Sequence, residues 1–163
     1  MPLPFYMSIT GSTQGNITQR VGEQEGHEDE VLCQAVEHVV QVPADAESGM
    51  PTGKRVHRPM IITKNVDRSS PLLYSAMVNN ERLTRVTIKH YRIVPSGTLQ
   101  NHFTVKLENA AINFIKASAP NYLDPAKEQF TYTEEVHFVY QTIIWVWEDG
   151  GIECQDEWLS SEA

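Results

Sequence analysis

FTYTEEVHFVYQTIIWVW, residues 130–147, decides the fold class. Apolar side chains recur at every second position. Val136, Phe138, Tyr140, Ile144 and Val146 share one face, and Val139, Ile143, Trp145 and Trp147 occupy the other. A period of two is that of a β-strand, and aromatic and β-branched residues favour a pleated surface. Because both faces are apolar, part of this run is expected to be covered on both sides, or its far face to meet a partner.

The same period extends outward in both directions. Phe5, Met7 and Ile9 alternate with Tyr6, Ser8 and Thr10, an opening strand. Val31 to Val42 reads as one longer strand. Its even positions (Leu32, Val36, Val40, Val42) are apolar, and its odd positions include Cys33, Ala35, Glu37 and Gln41. Residues 43–59 hold three prolines and two glycines and form an extended loop, of a length seen where loops make contacts. Met60-Ile61-Ile62-Thr63 resumes β structure. Residues 85–94 and 99–107 flank Pro95-Ser96-Gly97 as a hairpin, and the apolar phase reverses after Glu108, which predicts a bulge or bend near Asn109. Residues 117–129 are rich in turn formers, and Asp149-Gly150-Gly151 is a further turn.

One helix interrupts the strands. Ser69 and Ser70 offer N-caps, Pro71 suits the first turn, and Leu72, Leu73, Ala76 and Met77 make an apolar stripe. Asn79-Asn80 suit its C-terminal end. The expected fold is mainly β: a compact β-barrel of two antiparallel sheets, with one short helix at about residues 70–80. The chain of 163 residues is expected to be a single domain.

Charge is unevenly distributed along this sequence. Residues 1–53 carry eight acids and one base, residues 54–116 eleven bases and three acids, and residues 117–163 ten acids and one base. The net is −8, with 40% apolar and 21% charged residues, a composition that disfavours disorder. An acidic chain with no Arg-rich run does not fit a dedicated nucleic-acid binder. No stretch approaches the roughly 20 apolar residues of a membrane span, and no basic segment precedes an apolar one at the start, so no cleaved leader and no membrane insertion are expected. Separated patches of opposite sign can pair within one chain or between two copies.

Motifs for chemistry are missing. Gly26-His27-Glu28-Asp29-Glu30 lacks the spacing of HExxH or of a calcium loop and reads as a solvated acidic turn. The six histidines are scattered, Cys33 and Cys154 form no CxxC pair, and GxSxG and GxGxxG are absent. No catalytic residue, metal site or cofactor is expected, and the protein is not expected to be an enzyme.

Several segments together resemble one family. MPLPFYMSITGSTQG, EGHEDEVLCQAVEHVVQVP, SGMPTGKRVHRPMIITK, the SPLLYSAM helix, LDPAKEQFT and a closing DEW and EA occur in that order. They resemble the Hcp family, the haemolysin-coregulated tube proteins of bacterial type VI secretion. The resemblance implies a β-barrel that forms homohexameric rings, stacks them into a tube, and carries or chaperones small effectors in the lumen. It implies a contractile sheath and a trimeric spike (VgrG-type) protein as partners. It also implies residence in the bacterial cytoplasm before firing and export afterwards, in bacterial competition or virulence. The loop at 43–59 resembles the family's extended loop, and strand 31–42 resembles the strand that lines the channel. Joined to the charge pattern, this makes Glu25, Glu28, Asp29, Glu30, Lys54, Arg55, His57 and Arg58 candidate ring and tube contacts. Cys33, Ala35, Glu37 and Gln41 become candidate lumen-facing residues. The alternative is a monomeric small-ligand-binding β-barrel, which native mass would distinguish.

Overall fold

The structure, a computed structural model, describes residues 3–158. The first two and last five residues, which hold the start of the opening motif, the closing EA and the ends of the expected domain, lie outside it. The strands are β1 (Phe5–Gly11), β2 (Gly15–Asn16), β3 (Val31–Glu37), β4 (Val40–Gln41), β5 (Val56–His57), β6 (Met60–Asn65), β7 (Leu83–Ile93), β8 (Leu99–Ser118), β9 (Thr133–Val139), β10 (Thr142–Trp147) and β11 (Ile152–Glu157). The helix α1 spans Ser70–Val78, and a 3-10 turn spans Pro125–Lys127.

Nine strands form one antiparallel sheet and β4 and β5 a separate two-stranded ribbon. Within the large sheet, the order β8-β7-β1-β3-β6-β9 closes on itself because β9 also pairs with β8. Those six strands are the barrel, and β10 and β11 extend the sheet from the first half of β8. The expected β-barrel with one helix is therefore present.

Barrel closure turns on one corner. Asn109 has φ 50, so β8 bends where its apolar phase reverses, as the sequence predicts. Before the bend β8 pairs with β10, and after it with β9. The run 130–147 is not one strand but two, split at Tyr140-Gln141 opposite that bend. The Gln141 amide is shared between the carbonyls of Glu108 and Asn109, each at 3.3 Å. Residues 130–132 lie outside any strand, and Phe130 is exposed. The expectation of coverage on both faces does hold further on, where Ile143 and its neighbour Ile144 are both buried.

The barrel interior is filled by Met7, Ile9, Ile62, Ile88, Leu107 and Phe138, all fully buried. Leu73 and Ala76 bury the inner face of α1 against the barrel. The helix ends in a Schellman turn: Asn80 adopts φ 50, its amide donates to Met77 O, and the Glu81 amide donates to Ala76 O. Its start departs from the expected serine cap. Ser69 occupies the N-cap position, but its hydroxyl donates to Asp67 Oδ1 and makes no cap. The Ser70 hydroxyl donates to Glu134 Oε1 at 2.7 Å.

Glu134 and Lys64 form a fully buried ion pair beneath that helix start. The Lys64 ammonium also donates to the Asn65 carbonyl at 3.0 Å and approaches Asp67 Oδ1 at 3.2 Å. A carboxylate here faces the positive end of the helix as well as a cation.

Candidate assembly and channel surfaces

The segment expected as a loop is a stiffened arm. Val40 and Gln41 pair with His57 and Val56, and further out Ala44 bridges to Pro51. The Thr52 amide donates to Pro43 O at 2.6 Å, and the tip is tied by the Asp45 amide on Met50 O at 2.8 Å. Asp45 Oδ1 also accepts from the Glu47 and Ser48 amides. Every residue from Val39 to Lys54 is exposed, including Val39, Val42 and Met50. The ribbon thus holds apolar side chains in solvent along an ordered backbone.

The basic candidates at the arm's root separate. Arg58 is exposed, its amide donating to Val39 O at 3.0 Å. Lys54 is exposed. Arg55 instead donates through Nε to Asp156 on β11, in its own chain. His57 is 3% exposed and buried, so the expectation that it offers a contact surface is corrected. Strand β5 alternates, which turns Val56 outward and His57 inward.

The acidic candidates lie on one tight turn. The Gly22 amide donates to Glu28 O at 3.0 Å, and a Cβ on Gly22 would sit 1.8 Å from His27 O, so only glycine fits. The His27 ring stacks on Tyr6 at 3.8 Å. Glu30 pairs within the chain, to Lys89 Nζ at 2.9 Å and His27 Nδ1 at 3.1 Å. Glu28 accepts from the Gly26 amide at 2.9 Å, and that backbone bond holds its carboxyl below the usual carboxylate range. Asp29 accepts from the Arg20 amide at 2.9 Å, where Arg20 takes φ 56. Glu25, Glu28 and Asp29 are exposed.

Pairing between the charge blocks is in part internal. Besides Lys89–Glu30 and Arg55–Asp156, Arg92 approaches Asp149 at 3.8 Å, whereas Arg85 meets Glu108 of its own block at 3.0 Å. The middle block thus reaches acids of both flanking blocks within one chain.

The channel candidates also divide. Cys33 is 3% exposed and packs in the core, so it does not share a face with Ala35. The cause is a β-bulge: Cys33 pairs with Lys64 and Ala35 with Thr63, leaving Gln34 as the extra residue. Simple alternation therefore fails along β3. Leu32, on the apolar parity of that run, is 47% exposed, while Ala35 and Glu37 are also exposed. Burial pushes the Cys33 thiol up to about 12, so it stays protonated and inert. The expected strand 31–42 also stops at Glu37, and Gln41 belongs to the arm. Beside Ala35 runs an open groove of about 720 Å³ whose walls include Phe5, Gln34, Tyr91, Phe103 and Trp147.

Two features escaped the sequence reading. One is a set of exposed apolar side chains in the stretch 114–132: Phe114, Tyr122, Leu123, Phe130 and Tyr132. The other is a cluster of His38, His57, Tyr140 and Asp156 at the arm's root. The residues of the cluster are too far apart in the chain for spacing to reveal them. Among the described residues, no group of three or more His, Cys, Asp or Glu side chains could hold a metal, and no helix is long and apolar enough to cross a membrane.

Comparison with known proteins gives one answer. Residues 6–147 match the family model described as "Type VI secretion system effector, Hcp". The chain is 46% identical to the "Major exported protein" of Pseudomonas aeruginosa, over 100% of this chain and 99% of that one. It is similar to a crystal structure of an Hcp protein, with TM-score 0.91 and 36% identity over 97% of this chain and 99% of the other. It is also similar to a secreted Hcp protein from Pseudomonas aeruginosa, with TM-score 0.81 and 41% identity over 96% and 99% of the two chains.

Proposed function

The chain belongs to the Hcp family of type VI secretion proteins, and from that premise we propose that it is the structural subunit of the secretion tube. Six copies close into a ring, rings stack into a tube, and small effectors travel in the lumen. A sheath surrounds the tube and a spike protein caps it. The protein is held in the cytoplasm until firing exports it. It acts by assembly and not by catalysis.

The observation that carries this reading is the arm. It is an ordered ribbon, exposed along its length, with apolar side chains that its own barrel does not cover. A ring is a heterologous assembly, in which one patch of each copy meets a different patch of the next. The arm supplies one such patch, and the exposed aromatic stretch 114–132 supplies a second of different character. An interface of ordinary size covers on the order of 800 Å² per partner. The exposed charges Glu25, Glu28, Asp29, Lys54 and Arg58 belong to these contacts in the proposal. Ala35 and Glu37 face the channel beside the aromatic groove, where a small side chain leaves room for cargo.

Six copies at −8 each carry −48 formal charges, so stacked rings repel. Ring stacking followed by light scattering should therefore rise as ionic strength increases from about 0.01 to 0.15 M, where the screening length shrinks from about 30 to 8 Å. Scattering that falls, or is indifferent to salt, contradicts the assignment of repulsion to the ring faces.

A further inference from the structure

The arm is fixed to the barrel by a hydrogen-bonded cluster around one phenol. Tyr140 Oη lies 2.7 Å from His38 Nε2 and 2.7 Å from His57 Nδ1. His57 Nε2 lies 2.7 Å from Asp156 Oδ2, which also accepts from Arg55 Nε. Trp158 closes the cluster, stacked on His57 at 5.8 Å and edge-on to Tyr140 at 4.9 Å. Three pieces of chain meet here: the arm's two roots, which carry His38, Arg55 and His57; the β9–β10 corner; and β11.

Donor counting fixes the protons. Asp156 accepts, so His57 Nε2 carries hydrogen and His57 Nδ1 accepts from the Tyr140 hydroxyl. The Tyr140 oxygen then accepts from His38 Nε2–H. If His57 takes a proton, its Nδ1–H points at Tyr140 and the phenol hydrogen turns to His38 Nε2. One extra proton can thus be placed. Two cannot: both rings would then donate to one oxygen, and the phenol hydrogen would have no acceptor. The cluster would also hold two imidazolium ions and Arg55 against Asp156.

We propose that this cluster is a proton-controlled latch, closing the arm's root onto the barrel at neutral pH and releasing it in mildly acidic solution. The charged and titratable groups around it are Arg55, Asp156 and Glu157 at the arm side, Glu37, Arg58 and His137 beside His38, and Arg82 beside Tyr140. Burial, then the nearby His57, hold His38 below the ordinary imidazole value. Burial and Asp156 push the Tyr140 phenol up, so it keeps its hydrogen. The sign follows. His38 supports the closed latch fully above the ordinary value of about 6.5, and its support is lost as pH falls from there through the lower closed-state value. That the arm's release would loosen rings rests on the tube-subunit reading, whereas the latch itself does not.

The test is hydrogen exchange of the full chain at pH 7.5 and 5.0, corrected for intrinsic rates, read in peptides covering 38–42 and 54–58. Wild-type protection should fall about tenfold at pH 5.0, and His38→Gln, whose amide donates to Tyr140 without titrating, should keep its protection within about twofold. Tyr140→Phe should show at pH 7.5 the low protection that wild type shows at pH 5.0. An unchanged wild type, the same loss in His38→Gln, or a fully protected Tyr140→Phe would overturn the latch. Native mass measured alongside separates the two readings. Arm loosening with intact rings supports the latch and removes the arm from the ring contact; rings lost at pH 5.0 without arm loosening count against the latch.

Discussion

Glu134→Ala should destabilise the folded chain by about 3–5 kcal/mol, the largest effect expected of any single substitution considered for this fold. Lys64 and Glu134 are 0% and 1% exposed at their side chains, and they meet beneath the start of α1. Removing the carboxylate leaves an ammonium in the core with only the Asn65 carbonyl, the Ser70 hydroxyl and the partly exposed Asp67 near it. It also strips the Ser70 hydroxyl of its acceptor. At roughly 2–4 °C per kcal/mol for a chain of this size, the melting temperature should drop by about 10 °C. Replacing both partners, Lys64→Met with Glu134→Leu, should restore most of that loss, because a matched apolar pair needs no counter-charge. Thermal unfolding of both variants checks this. A double variant no more stable than Glu134→Ala would mean that the pair itself, and not the orphaned charge, holds the helix in place.

Shortening the arm should abolish assembly while sparing the fold. The tip beyond the Pro43–Thr52 hydrogen bond touches the barrel through none of the described pairings. Replacing residues 44–51 with Asn-Gly, a two-residue hairpin turn, joins Pro43 to Thr52 without disturbing β4 and β5. The circular dichroism and melting temperature of this variant should match wild type within a few degrees, while rings vanish from size exclusion. Reversal of Lys54 and Arg58 to Glu should weaken rings in the same direction by less. Arg55 is left out of that variant because its partner is Asp156 of the same chain, and reversing it would strain the latch. Intact rings from the shortened chain would remove the arm from the subunit contact.

Much of this architecture is legible in the sequence because side-chain alternation reports the pleat directly. The hairpin of β7 and β8, the bend at Asn109 and the helix at Ser70–Val78 all follow from local signals. The failures have local causes too. A single extra residue at Gln34 reverses the parity of β3, which turned Cys33 inward and Leu32 outward. The apolar alternation resumes in the same phase on the far side of Gln141-Thr142, which hides the corner that divides β9 from β10. Strand β11 reads as an acidic tail because most of its residues face solvent, so no alternation marks it. Lys64 and Glu134 look like surface charges, since such side chains are rarely buried unless paired across the fold. The His38, His57, Tyr140 and Asp156 cluster depends on the barrel bringing four distant positions together, and no spacing rule could show it.

Whether the chain assembles with itself is read from native mass spectrometry of the purified protein. The dominant species should lie at six times 18.5 kDa, with multiples of that mass where rings stack. A single species at 18.5 kDa at micromolar concentration and physiological salt would contradict it, and would favour the monomeric ligand-binding barrel instead.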